Sequence, residues 1–358
     1  MNAVVAADFD TPAKGAVVEI APGILWLRMP LPFDLDHINL YLLADGDGWV
    51  AIDCGIAGPQ TEQVWESVFD EHLQGKPVTR VIATHSHVDH LGAAGWLCRY
   101  WDAPLLITRP EYDFATHFVA EAHAPEPDEQ VDRVQFFHHM GMDAKKATTL
   151  LDIGGSIAGL FDVLPEDPQW LSHGMSLSIA GERWQVIVSE GHTIAHASLY
   201  CADKGVLISG DQVLPRIRCN VSTRAQDPDG NPLNHWLGSL DALKILPNDT
   251  LVLPSHEYPF FGLHRRLDQL TEGHIETLDL LLSSCEEARN VMQLVEILYP
   301  RKLSIFDLFL GCGECLAHLN YLLAEQKIER WLDENDVHQY RYLKTNDRIN
   351  AEQRPLSV

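Results

Sequence analysis

The chain has 358 residues, 46% of them hydrophobic and 22% charged, an ordinary globular composition with room for one large domain and a smaller second one. Lys and Arg number 26 against 51 Asp and Glu, a formal net charge of −25. Such a surface keeps a protein in solution and repels polyanions, which counts against nucleic-acid binding. No uninterrupted apolar run of about 18 residues is present to span a membrane, and the opening MNAVVAADFDTPAKG lacks the basic start and apolar run of a secretory signal. Seven scattered cysteines do not make a disulfide framework. A cytoplasmic location is the expectation.

Taken in chain order, residues 17 to 53 alternate like strands, with a hairpin turning at Asp45-Gly46-Asp47-Gly48. Residues 60 to 73 place Val64, Val68, Phe69 and Leu73 at helical spacing. VTRVIATH reads as a buried strand, LGAAGWLCRYW as a helix and PLLIT as another strand. Residues 110 to 165 are rich in His, Asp and Met and read as a helical insertion of the kind that builds a lid or pocket wall. The adjacent His138 and His139 point to different faces of a helix and read as surface or packing. Strands return at MSLSIA, RWQVIVSE, ASLYCAD and GVLISG, followed by a helix over 236–246 and the strand TLVLP. This alternation predicts an α/β chain of two sheets with outer helices. After about residue 264 the period becomes helical over 264–288, 290–298 and 304–326, and KIERWLDENDVHQYRYL reads as a hairpin. Three helices and a hairpin form a winged-helix-like arrangement, which places a domain boundary at 263/264. Cys312 and Cys315 form a C-x-x-C that reads as two buried small residues on a helix rather than a zinc or redox pair.

The segment THSHVDHLG crowds His85, His87, Asp89 and His90 into one strand-to-helix turn. At an extended strand end, residues i and i+2 point the same way, so His85 and His87 can grip one ion together. Asp89 and His90 then face a second position nearby, and Gly92 permits close backbone approach. Imidazole with carboxylate is the donor set that borderline divalent metals prefer. Three further candidates follow β-rich runs: His192 in SEGHTIAHAS, Asp211 after VLISG and His256 in PSHE. Asp211 has two oxygens with which to bridge two ions.

HSHVDH with the later GHT, GD and PSH segments resembles the metallo-β-lactamase fold superfamily of metallohydrolases, over about residues 17 to 262. The resemblance implies a four-layer αββα sandwich spanning 1–263, with the insertion at 110–165, and a C-terminal winged-helix-like domain over 264–358. It implies that His85, His87 and His192 hold one metal, that Asp89, His90 and His256 hold the other, and that Asp211 bridges. GHTIAHAS is similar to the GHTPGHxS of glyoxalase II and its thioesterase relatives, with Ile194 and Ala195 in place of Pro-Gly; His196 is not a ligand in those relatives. The tail resembles that of the branch typified by β-lactamase-like protein 2.

The expected activity is that of a dinuclear-metal hydrolase using a metal-bridged hydroxide on a small thioester or ester, with a lactonase or a phosphodiesterase or nuclease as alternatives. Zinc is the default metal, and iron or manganese suits the same donors. Asp89, besides being a ligand, is the catalytic candidate, able to orient the water or accept its proton. Arg216 and Asn220, just past Asp211, could reach a substrate, although an arginine in so acidic a chain can equally pair with a surface carboxylate. His37 and Asn39 line the pocket or cap a loop, and Tyr258 is a similar candidate. A regulatory protein that binds DNA through the tail is disfavoured: GCGECLAHLNYLLAEQ, which would be the recognition helix, has no Lys or Arg. Its face of Leu316, Leu319, Leu322 and Leu323 suits packing on the catalytic domain or a contact between two copies of the chain.

Overall fold

The computed structural model describes residues 3–123 and 127–343. Positions 1–2 and 344–358, at the ends of the expected domains, and 124–126 of the expected insertion lie outside the described residues. A short strand β1 (Val5–Ala6) precedes a meander of β2 (Val17–Ala21), β3 (Ile24–Pro30), β4 (His37–Asp45) and β5 (Gly48–Ile52). Helix α1 (Pro59–His72) opens with proline in its first turn, where the missing N–H is no loss. Then come β6 (Val78–Ile82), α2 (Val88–Leu91), α3 (Ala94–Trp101), β7 (Leu105–Thr108), α4 (Arg109–His123), α5 (Pro127–His139), α6 (Ala144–Ala158) and β8 (Gln169–Leu171). Strands β2 to β8 lie side by side in sequence order as a seven-stranded sheet. Its pairs from β5 onward are parallel, as helical crossovers require.

The second sheet takes β9 (Ser176–Ile179), β10 (Glu182–Ser189), β11 (His196–Cys201), β12 (Val206–Gly210), then, after α7 (Pro232–Leu243), β13 (Leu251–Pro254) and β14 (Phe260–Phe261). Its order is β1-β14-β13-β12-β11-β10-β9, with β12 and β13 parallel. Helix α7 starts four residues before the position that the spacing around Trp236 predicts, because Asn231 accepts the Asn234 amide and Pro232 stands at the first helical position. Ser239 of that helix exchanges hydrogen bonds with the Glu190 backbone at the end of β10.

Strand β4 reads INLYLLA with no alternation because both of its faces are covered. Tyr41 and Leu43 join Trp26, Ile82, Trp184, Leu199 and Ile208 in a core between the two sheets. Leu40 and Leu42 join Trp65, Phe69, Val81 and Leu97 in a core between the first sheet and helices α1 and α3. The layered helix–sheet–sheet–helix order is the one that the motifs imply.

The chain continues as α8 (Leu263–Ser284), α9 (Val291–Leu298), α10 (Ile305–Ala324) and a hairpin of β15 (Ile328–Leu332) with β16 (His338–Tyr342). Asn290 and Gln293 form a reciprocal capping box on α9, and the Ser304 hydroxyl accepts the Asp307 amide at the start of α10. Cys312 and Cys315 are free thiols buried on α10. The described residues form two compact units: 3–123, 154–219 and 238–269 with both seven-stranded sheets, and 127–153, 220–237 and 270–343 with the hairpin. The sequence pattern places a single boundary at 263/264. Among the described residues no helix is long and apolar enough to cross a membrane.

Trp184 is 1% exposed in the inter-sheet core. Trp184→Ala is expected to cost about 3–5 kcal/mol through lost burial and a residual cavity, read as a lower urea midpoint for the unit holding both sheets. A loss below about 1 kcal/mol would mean that the two sheets do not depend on that contact.

Candidate metal centre

Four loops that leave strand ends converge within the first unit. They follow β6 (83–87), β10 (190–195), β12 (at Asp211) and β13 (255–257). His85 Nε2 lies 2.9 Å from His87 Nδ1, and the His192 ring packs edge-on against both, with centroids 5.1 and 4.7 Å away. Asp211 Oδ2 is 3.5 Å from His192 Nε2. Beside this group stand Asp89, His90 and His256. Asp89 Oδ2 is 3.6 Å from His90 Nε2 and 3.4 Å from His256 Nε2. Asp211 Oδ1 repeats those separations, 3.6 Å to His90 Nε2 and 3.4 Å to His256 Nε2. All seven predicted ligand positions therefore meet, with one oxygen of Asp211 toward each group.

The separations test whether a metal fits. Donors about 2.0–2.1 Å from a tetrahedral ion stand about 3.4 Å from one another. The distances of 3.4–3.6 Å around His90, His256, Asp89 and Asp211 are of that order and too long for good hydrogen bonds. His90 Nε2 and Asp211 Oδ1 are buried and make no hydrogen bond. His85, His87, His192 and Asp211 can hold one ion, and Asp89, His90 and His256 a neighbouring one.

The charge balance agrees. Burial opposes ionisation of Asp89, but the nearby charges of His90 and His256 hold its carboxyl down at about 2. His256 and His90 hold Asp211 well below the usual carboxylate range against the same opposition. Burial also works against charge on His90, and Asp89, Asp53 and Asp211 outweigh it, raising that imidazole well above its ordinary range. His192 rises to about 10 against burial, through Cys219 and Asp211 beside it. His85, with burial and four histidines around it, moves well down. The carboxylates stay anionic and call for positive charge close by, which a divalent cation supplies while displacing imidazole protons.

An outer layer of hydrogen bonds aims these donors. Asp53 Oδ2 accepts from His90 Nδ1 at 2.8 Å, which turns the His90 Nε2 lone pair toward the site. Asp53 also accepts from the Thr84 amide and hydroxyl at 2.7 and 2.9 Å. It sits in the left-handed region at φ 61°, a conformation that aspartate tolerates better than most residues. The Thr84 hydroxyl stands 3.0 Å from His85 Nδ1, and the His37 carbonyl accepts from His256 Nδ1 at 3.0 Å. Fully buried His196 accepts the Asp211 amide through Nε2 at 3.1 Å. Burial and the nearby His192 push His196 down to about 3, so it stays neutral for that role. Gly210 is required there: its φ is 55°, and a Cβ would stand 2.3 Å from His196 Nε2. A Cβ on Gly92 would meet the backbone of Val88, Leu160 and Ile56 within 3 Å.

Glu111, at the start of α4, is fully buried. Its carboxylate accepts the Ser86 amide at 2.9 Å and the Ala195 amide at 2.6 Å, tying the loop of His85 and His87 to the loop of His192. Asp53, Glu111 and Cys219 are absent from the sequence reading. Asp53 ends the run WVAID and the strand-end logic applied to Asp211 extends to it; Glu111 carries no local signal, since an acidic residue at a helix start is common.

The substrate candidates have other contacts. Arg216 pairs with Glu257 at 2.8 Å, with its side chain 68% exposed, and its guanidinium lies over the Tyr258 ring. Tyr258 packs on the inter-sheet core. His37 Nδ1 faces Asp36 at 2.8 Å and its Nε2 accepts the Glu257 amide, while Asn39 donates to the Pro254 carbonyl at 2.9 Å, so both hold loops. Asn220 belongs to the second unit, where it donates to the Leu310 carbonyl.

Residues 33–256 match the family model described as the metallo-beta-lactamase superfamily, and 278–343 match that of the metallo-beta-lactamase-like C-terminal domain. The chain belongs to the metallo-β-lactamase superfamily and is a metal-dependent hydrolase. The crystal structure of a beta-lactamase domain protein from Burkholderia ambifaria is similar, with 37% identity and a TM-score of 0.86 over 95% of this chain and 98% of that one. A metallo-beta-lactamase family protein from Thermus thermophilus is 25% identical, with a TM-score of 0.75 over 91% of this chain and all of that one, 100%. In sequence, the chain is 24% identical over 342 residues to "Probable metallo-hydrolase YqjP" of Bacillus subtilis (strain 168), covering 91% of this chain and 98% of that protein. It is 26% identical over 266 residues to a hydroxyacylglutathione hydrolase of Xylella fastidiosa (strain M23), 74% of each chain.

Glu111→Gln keeps the shape of the side chain but sets an NH2 against one of two amide donors, releasing one loop. Metal affinity is expected to fall about 10–100-fold with the fold retained, measured by competition with a chromogenic chelator. Unchanged affinity would remove Glu111 from the positioning of these loops.

Proposed function

We propose that the protein hydrolyses a small-molecule thioester at a dinuclear centre in which His85, His87 and His192 hold one divalent ion, Asp89, His90 and His256 hold the other, and Asp211 lies between them. The observation that carries this reading is that the two oxygens of Asp211 face two separate donor groups at ligand-to-ligand distances. The hydroxyacylglutathione hydrolase relative supports a thioester as the bond cleaved. Imidazole nitrogen with carboxylate oxygen suits zinc, with iron or manganese able to use the same donors.

Bound ions of this kind lower the pKa of a water toward neutrality and polarise a carbonyl. The chain's own groups do the rest. Asp53, Thr84 and the His37 carbonyl hold the Nδ1 atoms of His90, His85 and His256, so each Nε2 presents a lone pair. His196 and Gly210 set the Asp211 carboxylate between the two groups. The Asp89 side chain is 18% exposed, at the solvent edge of the cluster, and there it orients the attacking water and accepts its proton.

Thiol release from a panel of acyl-glutathione and acyl-coenzyme A thioesters tests the substrate class, with lactones and phosphodiesters assayed in parallel. Thioester turnover is expected, falling about 100-fold or more in Asp89→Asn. Turnover of lactones or phosphodiesters without thioesters would overturn the substrate class and leave the centre in place. His87→Ala and Asp211→Ala are each expected to abolish turnover with an unchanged circular dichroism spectrum, since both residues stand on loops. Full activity in both would overturn the ligand assignment.

A further inference from the structure

The second unit holds another group of ligand-type side chains. Helix α8 carries His274, and α10 carries Glu314 and His318, one helical turn apart and on the same face. Both histidines are fully buried. His274 Nδ1 lies 3.1 Å from His318 Nε2, and one donor atom from each of the three residues lies within 4.8 Å of the others. We propose that these three residues form a structural site for a zinc-class divalent cation, separate from the centre in the first unit and independent of the activity proposed for it.

Three features carry the proposal. The first is convergence. A hydrogen bond between two imidazoles would satisfy the facing nitrogens alone, yet Glu314 brings a carboxylate to the same point. Two imidazole nitrogens and one carboxylate oxygen are a donor set that zinc takes readily, with water completing a tetrahedron. The second is orientation. His318 Nδ1 donates to the Glu314 carbonyl at 2.7 Å, which fixes the tautomer and presents the Nε2 lone pair toward His274. The Tyr299 hydroxyl donates to Glu314 Oε2 at 2.6 Å, steadying the carboxylate from outside. Ligand histidines and carboxylates are held in this way at metal sites. The third is the likeness to the first unit, where His85 Nε2 and His87 Nδ1 approach to 2.9 Å in the same manner.

The cation would clamp α8 to α10 across the interior of the second unit. The Trp236 ring stands edge-on to His274, 6.4 Å between centroids, and covers one side. Binding should therefore act on stability and leave the chemistry of the first unit untouched.

The test counts zinc in the full-length chain, loaded and desalted, by elemental analysis. In a His87→Ala, Asp211→Ala, His256→Ala background, which removes a donor from each of the two groups of the first centre, one tightly held equivalent is expected to remain. Adding His318→Gln should remove it. Because a buried substitution can weaken the fold, Glu314→Gln at a half-buried position is the second variant, expected to lower zinc affinity about 10–100-fold while circular dichroism stays unchanged. Zinc should raise the melting temperature of the background protein but not of its His318→Gln derivative. No zinc in the background protein, or the same zinc affinity after Glu314→Gln, would overturn the site; either result leaves the thioesterase reading to its own assays.

Discussion

A buried carboxylate set between two groups of imidazoles is the constraint on which the rest of this molecule depends. Asp211 directs one oxygen toward His192 and the other toward His90 and His256. Placing that much charge and polarity out of water is tolerable only if every group has a compensating partner or a bound cation. The elements around the site supply those partners. Four strand ends deliver the donors, the central strands β4, β5, β12 and β13 beneath them are buried on both faces, and a second layer of hydrogen bonds fixes which nitrogen of His85, His90 and His256 faces inward.

That second layer divides the labour by chemistry. Asp53 acts as a pure acceptor, taking one proton from His90 and two from Thr84. Glu111 does the same for two backbone amides from loops that are far apart in sequence, Ser86 and Ala195. His196 must instead be neutral, because only an unprotonated nitrogen can accept the Asp211 amide, and burial keeps it so. Gly210 completes this arrangement by leaving out the one atom that would collide with the ring. Rigid support of this kind lets donors on loops hold ligand spacing without drawing on the loops' own stability.

The two units contrast in how they use histidine. In the first, buried imidazoles stand beside carboxylates where strands give way to loops. In the second, His274 and His318 lie inside a helical core whose other buried residues include Cys285, Leu316 and Leu319. A polar pair at such a position favours one packing of α8 on α10, since sliding either helix by a turn would break the His274–His318 contact.

Much of this was legible in the chain itself. Periodicity located both sheets and the three C-terminal helices, and the spacing of H-x-H-x-D-H with strand-end His192, Asp211 and His256 named the candidate donors that the fold brings together, because local chemistry is written in residue type and short-range order. Short elements escaped: β8 and β14 are three and two residues long and carry no readable period. Arg216 is a substrate candidate because it stands just past Asp211, and His37 because it starts a strand near the rim; which partner each side chain meets is set by Glu257, which engages both. The sequence by itself determined the fold class and the candidate donors. Only the tertiary structure decided that Asp53 and Glu111 support them and which units the segments 127–153 and 220–237 join, because such contacts link residues tens to hundreds of positions apart, and no local pattern encodes which distant neighbour a side chain will meet.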